Sequence, residues 1–361
     1  MKSATNLSEP LIFPHTEIAF EKSDQKAPPA YLFWTCVLAG VLFGVYNFLF
    51  GVISYLYIQG TYLFCLGGIS IAVIYQSYSI FAQHRRDGRL WAIEKSNFFK
   101  CHQIHENQFT LNCANIRGCV FLALVIQTTL TLKLYTFRYA LEIQLNQGIV
   151  SSLFALSTVT TSIIFYFAFK QKITPVQILG ICFILLFVIL ISMSKPSQKY
   201  DNDGVKQIGS EHIMIVVLLG VFVALLFTSK AFISKIYHER HNYQAINLCI
   251  DAIFLQSLIL LPFFINYQVT VGYKPFELVY GFAGSTLCII GNILLYNGVS
   301  KGIGGPKVAL SHIQGFIHTS LSLLIQGMVP NFLQIAGMSC AIIGVIIITM
   351  GQDLIKLCSK K

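Results

Sequence analysis

The chain has 361 residues, of which 55% are hydrophobic and only 11% are charged. Soluble domains carry roughly 25% charged residues, so this composition excludes an ordinary soluble protein and indicates a protein whose partner is the lipid bilayer. The formal net charge of +10 would suggest nucleic-acid binding in a soluble protein. Here the basic residues lie in short connections between apolar runs and set orientation in the membrane, so no nucleic-acid partner is expected.

Ten membrane spans are predicted, because apolar runs of about 18 residues or more mark such spans. They follow a polar N-terminal tail, residues 1–30, that we expect to be disordered. The first run is too long for the apolar part of a signal peptide, and we interpret it as an uncleaved span. The predicted spans are residues 31–56, 61–82, 116–137, 143–168, 174–193, 212–233, 244–266, 277–297, 306–328 and 332–351.

The basic residues predict the orientation of these spans. With ten spans both termini lie on one side, and 19 of the 25 Lys and Arg residues fall on that side when each is assigned to its nearer connection. Cytosolic connections are the ones enriched in Lys and Arg, so both termini are predicted to be cytosolic. The same side receives the longest connection, residues 83–115, whose basic and aromatic residues suit the membrane–water interface. Residues 352–361 form the predicted cytosolic C-terminal tail.

The cysteines predict no metal site. The ten Cys are scattered, and no Cys-x-x-Cys pair occurs, so neither a disulfide framework nor a zinc ribbon is expected. The 83–115 connection does bring Cys101, His102, His105 and Cys113 close together in sequence. It offers no fixed scaffold for an ion, and we expect neither a metal nor another cofactor.

Two stretches of the chain resemble each other. Each has a span with hydroxyl or amide groups, a turn marked by proline, the pattern Gln-Ile-x-Gly and an almost wholly aliphatic span. The pattern occurs at Gln177–Gly180 and again at Gln334–Gly337. We therefore predict two five-helix repeats, residues 31–193 and 212–351, joined by a linker at 194–211. Because five is an odd number, the second repeat enters the membrane inverted, an architecture that recurs in secondary transporters.

The five-plus-five arrangement, with KQKITPVQILG after the fourth span and MVPNFLQIAG after the ninth, resembles the drug/metabolite transporter superfamily, in particular its EamA-like branch. The resemblance extends over residues 31–351. It implies an all-α bundle of ten transmembrane helices that exports or exchanges a small-molecule substrate. The chain differs from the usual pattern of that superfamily at Gln171, where an acidic residue often stands, and in the length of the 83–115 connection.

Polar residues in the middle of apolar spans are candidates for a substrate cavity, because polar groups at membrane depth usually face a bundle interior or water. This reasoning selects five residues: Asn47, Gln127, Asn292, Gln314 and His318. For each histidine a hydrogen bond between helices is an alternative role. The fifth and tenth spans lack central polar groups, so we expect them to face lipid or another subunit, which makes a homodimer an open alternative.

Asp251 is a candidate for proton coupling, since a carboxylate inside a membrane costs about 2.5–3.5 kcal/mol even on moderate scales. In the predicted topology His312 lies at the same depth, and a carboxylate beside an imidazole can share a proton near neutral pH. The alternative is an interfacial carboxylate at the cytosolic end of its span. We therefore predict Asp251 and His312 as a proton-coupling pair.

The predicted function is secondary-active transport of a small organic solute or metabolite by alternating access. Lys133 and Lys230 fall near predicted span ends, where lysines can extend to the interface. No basic midplane site is therefore expected, which favours a neutral or weakly charged solute. The alternatives are a nucleotide-sugar or organic-phosphate antiporter of the same superfamily, a membrane scaffold that transports nothing, and an intramembrane enzyme using Asp251 and His312 as acid and base; no enzymatic activity is predicted.

Overall fold

A computed structural model describes the protein at residues 31–88, 96–101, 109–171, 173–193, 210–301 and 304–358. Within these ranges nine helices are long and apolar enough to cross a membrane, and a tenth apolar helix is shorter. The shorter one is Pro175–Ser192. The chain is therefore a multi-span helical membrane protein, which confirms the predicted class. The predicted tail 1–30, most of the linker 194–211, His102 and His105 lie outside the described residues.

Among the described residues up to 193 there are seven α-helices, one 3₁₀ turn at Ser54–Leu56 and a short antiparallel pair of strands. The strands lie within the predicted 83–115 connection, which is shorter than expected because helix α3 continues to Asp87. The elements are α1 (Tyr31–Val52), α2 (Ile58–Tyr62), α3 (Phe64–Asp87), β1 (Phe99–Cys101), β2 (Phe109–Leu111), α4 (Cys113–Glu142), α5 (Gln147–Leu153), α6 (Leu156–Phe169) and α7 (Pro175–Ser192).

The described ranges 210–301 and 304–358 contain six helices. Its last helix extends to Cys358, so the first residues of the predicted C-terminal tail are helical rather than a separate tail. The elements are α8 (Ser210–His241), α9 (Ala245–Thr270), α10 (Pro275–Ser300), α11 (Gly304–Ser311), α12 (Ile313–Gln326) and α13 (Phe332–Cys358).

Two of the predicted spans are broken well inside their length. The fourth is divided into α5 and α6 at Phe154 and Ala155, and the ninth into α11 and α12 at His312. At both breaks the backbone forms hydrogen bonds between residues three apart, such as Ser157 N to Phe154 O and Gly315 N to His312 O. These are 3₁₀-type bonds, which in the middle of a helix often mark a functional hinge.

Helices α7 and α13 begin with the same cap. The Gln177 side chain accepts from the Thr174 backbone N–H while the Thr174 hydroxyl accepts from the Gln177 N–H. Asn331 and Gln334 make the same reciprocal pair at 2.9 Å in both directions. Such a capping box satisfies two backbone donors that a helix start leaves unpaired. The repeated Gln-Ile-x-Gly pattern therefore places its glutamine at the third position of each helix.

Glycines lie where these two helices meet, and one of them, Gly180, belongs to the first pattern. A Cβ atom on Gly180 would come within 2.7 Å of the Gly344 carbonyl oxygen, and one on Gly344 within 2.7 Å of the Gly180 carbonyl oxygen. Small residues permit such close backbone contact between membrane helices. Helices α7 and α13 accordingly form an extensive contact with each other.

Most of the other large contacts join a helix before residue 193 to one after residue 210. Helix α1 packs on α10 and α12, α3 on α9 and α10, and α4 on α8 and α9. The broken helices also face each other, α5 against α12 and α6 against α11. The two parts of the chain are thus interleaved and enclose a common interior.

Candidate functional site: a cavity at the centre of the bundle

The interior contains a small cavity between α1, α3, α4, α8 and α10. Its enclosed volume is about 20 Å³, and about 310 Å³ when all the space open to solvent at its mouth is counted. Aromatic rings form much of the wall, and the polar part comes from one amide, one thiol, two hydroxyls and two ammonium groups. The lining residues are Phe43, Tyr46, Phe64, Ile126, Thr129, Leu130, Lys133, Phe227, Lys230, Cys288 and Asn292.

The two lysines dominate the electrostatics of this cavity. Lys133 and Lys230 are each only 4% exposed. The Lys133 Nζ lies 4.4 Å from the centre of the Tyr46 ring, and the Lys230 Nζ lies 3.9 Å from the centre of the Phe227 ring. A cation–π contact contributes about 0.5–2 kcal/mol, against about 2.5–3.5 kcal/mol for a charge inside a membrane. The rings therefore offset only part of the cost of these two charges.

The positions of these lysines correct the sequence analysis. Both were expected near span ends, but α4 continues to Glu142 and α8 to His241, well beyond their predicted ends. Lys133 and Lys230 consequently lie inside long helices, roughly 13 and 16 Å from their C-terminal ends at 1.5 Å per residue. One signal for Lys133 was available in the sequence. It shares a helix face with Ile126, Thr129 and Leu130 at intervals of three, four and seven residues, and all four line the cavity.

Of the five residues predicted to line a cavity, Asn292 lies in this lining, where its amide donates to the Cys288 Sγ over 3.4 Å. Gln127 lies elsewhere and accepts from the Gln256 amide at 2.7 Å while donating to the Thr61 hydroxyl. It thereby ties α4 to α9 and α2. Two of the remaining three form one hydrogen-bonded chain, which is described next.

A chain of polar contacts runs from α1 to the two helix breaks. The Asn47 amide donates to the Gln314 Oε1 at 3.1 Å, and the Gln314 Nε2 lies 3.2 Å from the His312 Nδ1. The His312 Nε2 lies 2.9 Å from the Ser157 Oγ. Thr228 of α8 extends the chain by donating to the Ser157 carbonyl oxygen. The structure thus brings Asn47, Gln314 and His312 together, as an interhelical network outside the cavity lining.

His318 joins the two broken helices at a second point. Its Nδ1 lies 2.6 Å from the Ser151 Oγ, and its ring packs edge-on against Phe48 and Phe137. Its Nε2 has no hydrogen-bond partner in the part of the chain that the structure describes. The alternative that was left open for the histidines, a bond between helices, describes both His312 and His318.

Asp251 lies in a separate network and is not hydrogen-bonded to His312, so the structure does not bring this predicted pair together. Its carboxylate accepts from the Tyr243 hydroxyl at 2.6 Å, from the Gln76 amide at 3.2 Å and from the Asn97 amide at 3.3 Å. Burial and the adjacent carboxylate raise the pKa of Tyr243, which keeps its hydroxyl protonated as a donor. Asn97 belongs to the segment before β1, so Asp251 anchors that segment to the bundle.

Comparison with known proteins identifies a related protein and a solved structure with a similar fold. No family model matches the chain. A protein of Methanocaldococcus jannaschii described as uncharacterized is 30% identical over 137 residues, which are 38% of this chain and 97% of that protein. The chain belongs to the same family as this archaeal protein. The match extends over nearly the whole archaeal protein, but it occupies less than half of this chain.

A solved crystal structure of another protein superimposes with a TM-score of 0.53 over 89% of this chain and 96% of that one. The sequence identity is 11%, so the likeness concerns the fold alone. Because it covers 89% of the chain, the likeness includes residues of both parts of the chain.

Proposed function

We propose that the protein is a secondary-active transporter that moves a small organic solute across a membrane by alternating access. The observation that carries this proposal is the cavity itself. A membrane helix bundle that served only as a scaffold would fill its centre with apolar side chains, whereas this centre holds Lys133, Lys230 and Asn292. Ionisable residues inside a membrane mark substrate pathways more often than structural positions.

The proposal includes a bundle of ten spans built as two inverted repeats, with α7 as the fifth span. The packing supports this arrangement. If each span is equivalent to the span five places later in the chain, a contact between two spans should have a counterpart between their two equivalents, and such counterparts occur. The contact of α1 with α10 corresponds to that of α8 with α4, and α3 with α10 corresponds to α9 with α4. The shared caps of α7 and α13, the paired helix breaks and the half-length archaeal relative agree with a repeat of five helices.

The two broken helices provide the movement that alternating access requires. They cross where Ser151 meets His318 and Ser157 meets His312, so each break lies beside the other. In transporters with inverted repeats, discontinuous helices commonly flank the substrate site while one repeat rocks against the other. We propose that opening alternates about this crossing.

The membrane orientation and the family resemblance also enter as proposals. Lys133 and Lys230 are nearest to connections on opposite sides of the membrane. Leaving both out of the count of basic residues, because they line the cavity, therefore preserves the excess on the terminal side. We therefore propose cytosolic termini. The pattern of spans and turns that resembles the drug/metabolite transporter superfamily supports a transporter of that kind, and the two lysines favour its anion-exchanging alternative.

Reconstituted flux tests the proposal directly. The purified protein in sealed liposomes should exchange a radiolabelled solute from a metabolite panel with unlabelled solute inside, and breaking the vesicle seal should abolish the accumulation. A scaffold would give no exchange for any solute on the panel. An intramembrane enzyme would convert a solute equally well in detergent, where no sealed compartment exists. Either result would overturn the proposal.

A further inference from the structure

The two cavity lysines have no carboxylate partner in the part of the chain that the structure describes. Every carboxylate whose side chain is described is engaged elsewhere. The pairs are Glu142 with Arg138, Glu239 with Lys235, Asp251 with Tyr243, and Glu277 with Tyr55. Among the residues that the structure describes, no carboxylate therefore serves as counter-ion to the two lysines of this cavity.

Buried charges are retained in proteins when something pairs with them. The aromatic rings beside Lys133 and Lys230 offset part of the cost. A ligand that enters the cavity, which both ammonium groups face, can supply the remaining partner. A carboxylate or phosphate group supplies the missing charge and the acceptor oxygens.

We infer that the cavity binds an organic anion, with its carboxylate or phosphate group held by Lys133 and Lys230. This inference rests on the proposed transport function and names its substrate class. It replaces the neutral or weakly charged solute that the sequence alone favoured.

The rest of the lining describes the body of that anion. Phe43, Tyr46, Phe64 and Phe227 line the cavity together with the lysines, which suits a flat apolar group. Asn292 adds one amide that can donate or accept a hydrogen bond. Pockets for small molecules combine apolar walls with a few placed polar groups in this way. The expected solute is thus small, flat and anionic at one end.

Thermal shift with three related probes tests the charge requirement. Phenyl phosphate, benzoate and benzamide share a ring and differ in the group attached to it, and benzamide is the neutral counterpart of benzoate. The inference expects phenyl phosphate or benzoate to raise the melting temperature of the detergent-solubilised protein, and benzamide to raise it less or not at all. Comparing the two anions distinguishes a phosphate site from a carboxylate site. Equal stabilisation by benzamide would overturn the inference.

Lysine variants locate the effect. Lys133→Gln and Lys230→Gln should each weaken binding of the active anion by at least about 20-fold, since truncating one partner of a buried charge pair is costly. The matched control is Lys307→Gln. Lys307 is also buried, but it lies in α11 outside the cavity lining. Its variant should bind the anion as the wild type does. Equal loss in all three variants would indicate a general effect of charge and would refute the site.

Stability without ligand provides an independent test. Removing an unpaired buried charge relieves its cost, so Lys133→Met and Lys230→Met should raise the melting temperature of the ligand-free protein while abolishing the shift caused by the anion. A gain in stability with a loss of binding is typical of a binding site. If both variants instead melt at lower temperature than the wild type and still bind the anion, the lysines are structural and the inference is wrong.

Transport separates this inference from the function on which it rests. In the liposome assay, exchange of the anion that depends on Lys133 and Lys230 supports both proposals. Exchange of neutral solutes that continues unchanged in Lys230→Gln overturns the substrate class and leaves transport standing. Absence of exchange for every solute, combined with anion binding in the thermal shift, overturns transport and leaves the anion site standing.

Discussion

Ser157 and His312 are hydrogen-bonded over 2.9 Å and join the two helix breaks. Ser157 is the second residue of α6, directly after the first break, and His312 is itself the second break. Both side chains are buried. The bond thus connects the two places where the backbone leaves α-helical geometry, and it couples the position of one broken helix to that of the other.

Ser157→Ala should destabilise the protein measurably. The substitution leaves the buried His312 Nε2 without its partner, and an unsatisfied buried polar group costs about 1–3 kcal/mol. Thermal unfolding in detergent measures the change. The matched control is Ser339→Ala, because the Ser339 hydroxyl is exposed and bonds only to Ile335 of its own helix. If the two substitutions lower the melting temperature equally, the bond between the breaks contributes nothing specific.

Two glycines permit the broken helices to cross closely. A Cβ atom on Gly148 of α5 would lie 2.2 Å from the Thr319 backbone nitrogen, and one on Gly315 of α12 would lie 2.8 Å from the Ser152 Cα. Both neighbours are backbone atoms, so neither can move away by rotating a side chain. Gly148→Ala and Gly315→Ala should therefore force α5 and α12 apart.

The expected cost of each substitution is about 1–3 kcal/mol or more, as for overpacking elsewhere. Thermal unfolding and the yield of monodisperse protein measure it. Gly337→Ala is the control, because its nearest neighbour would be the Phe187 ring at 3.2 Å, and a ring can shift. A control as damaging as Gly148→Ala would indicate that alanine is disfavoured generally in these helices, and not at the crossing in particular.

The class of the protein could be predicted from the sequence because membrane spans depend only on length and apolarity. The capping pairs could be predicted in part, since Gln177 and Gln334 stood in a repeated pattern that the structure explains. The breaks at Phe154 and His312 could not, because neither contains proline and both lie inside stretches that are apolar enough on average to be predicted as single spans. Their geometry is fixed by contacts between two segments far apart in the chain.

The site was harder to predict for a related reason. Gln127 can face either the cavity or the Gln256 side chain, depending on how α4 is rotated relative to α9. That rotation is set by packing between helices and cannot be read from the residues around Gln127. Asp251 was noticed because a membrane carboxylate is costly, but its partners Tyr243 and Asn97 lie in connections rather than spans. Lys133 and Lys230 were assigned to the interface because their helices were predicted too short.

The membrane orientation can be tested with terminal tags. The excess of Lys and Arg on the terminal side leads us to expect both termini in the cytosol. Tags at both ends of the chain, expressed in intact cells, should become sensitive to protease only after the membrane is permeabilised. The Asn6-Leu7-Ser8 sequence should remain unglycosylated, which a glycosidase shift assay checks. A single tag cleaved from outside would contradict the ten-span arrangement, since an odd number of spans places the termini on opposite sides.

The last prediction concerns Asp251, for which anchoring and proton coupling give opposite results. All three partners donate to the carboxylate. In Asp251→Asn one acceptor oxygen becomes an N–H₂ donor, so at least one of the three hydrogen bonds is lost. We expect anchoring, with a loss of about 1–3 kcal/mol and faster hydrogen exchange in residues 96–98. Both proton-driven accumulation and solute exchange should fall together, in proportion to the folded fraction.

Tyr243→Phe separates the two roles, because it removes one donor and leaves the carboxylate able to titrate. If Asp251 anchors the segment before β1, this variant shows the same loss of stability in a weaker form, with the same faster exchange at 96–98. If Asp251 instead carries the proton, Asp251→Asn retains its stability and its solute exchange but loses accumulation against a gradient, and Tyr243→Phe retains all three. The melting temperature, solute exchange and proton-driven accumulation of both variants decide between the two roles. Only the anchoring role predicts that both variants lose stability.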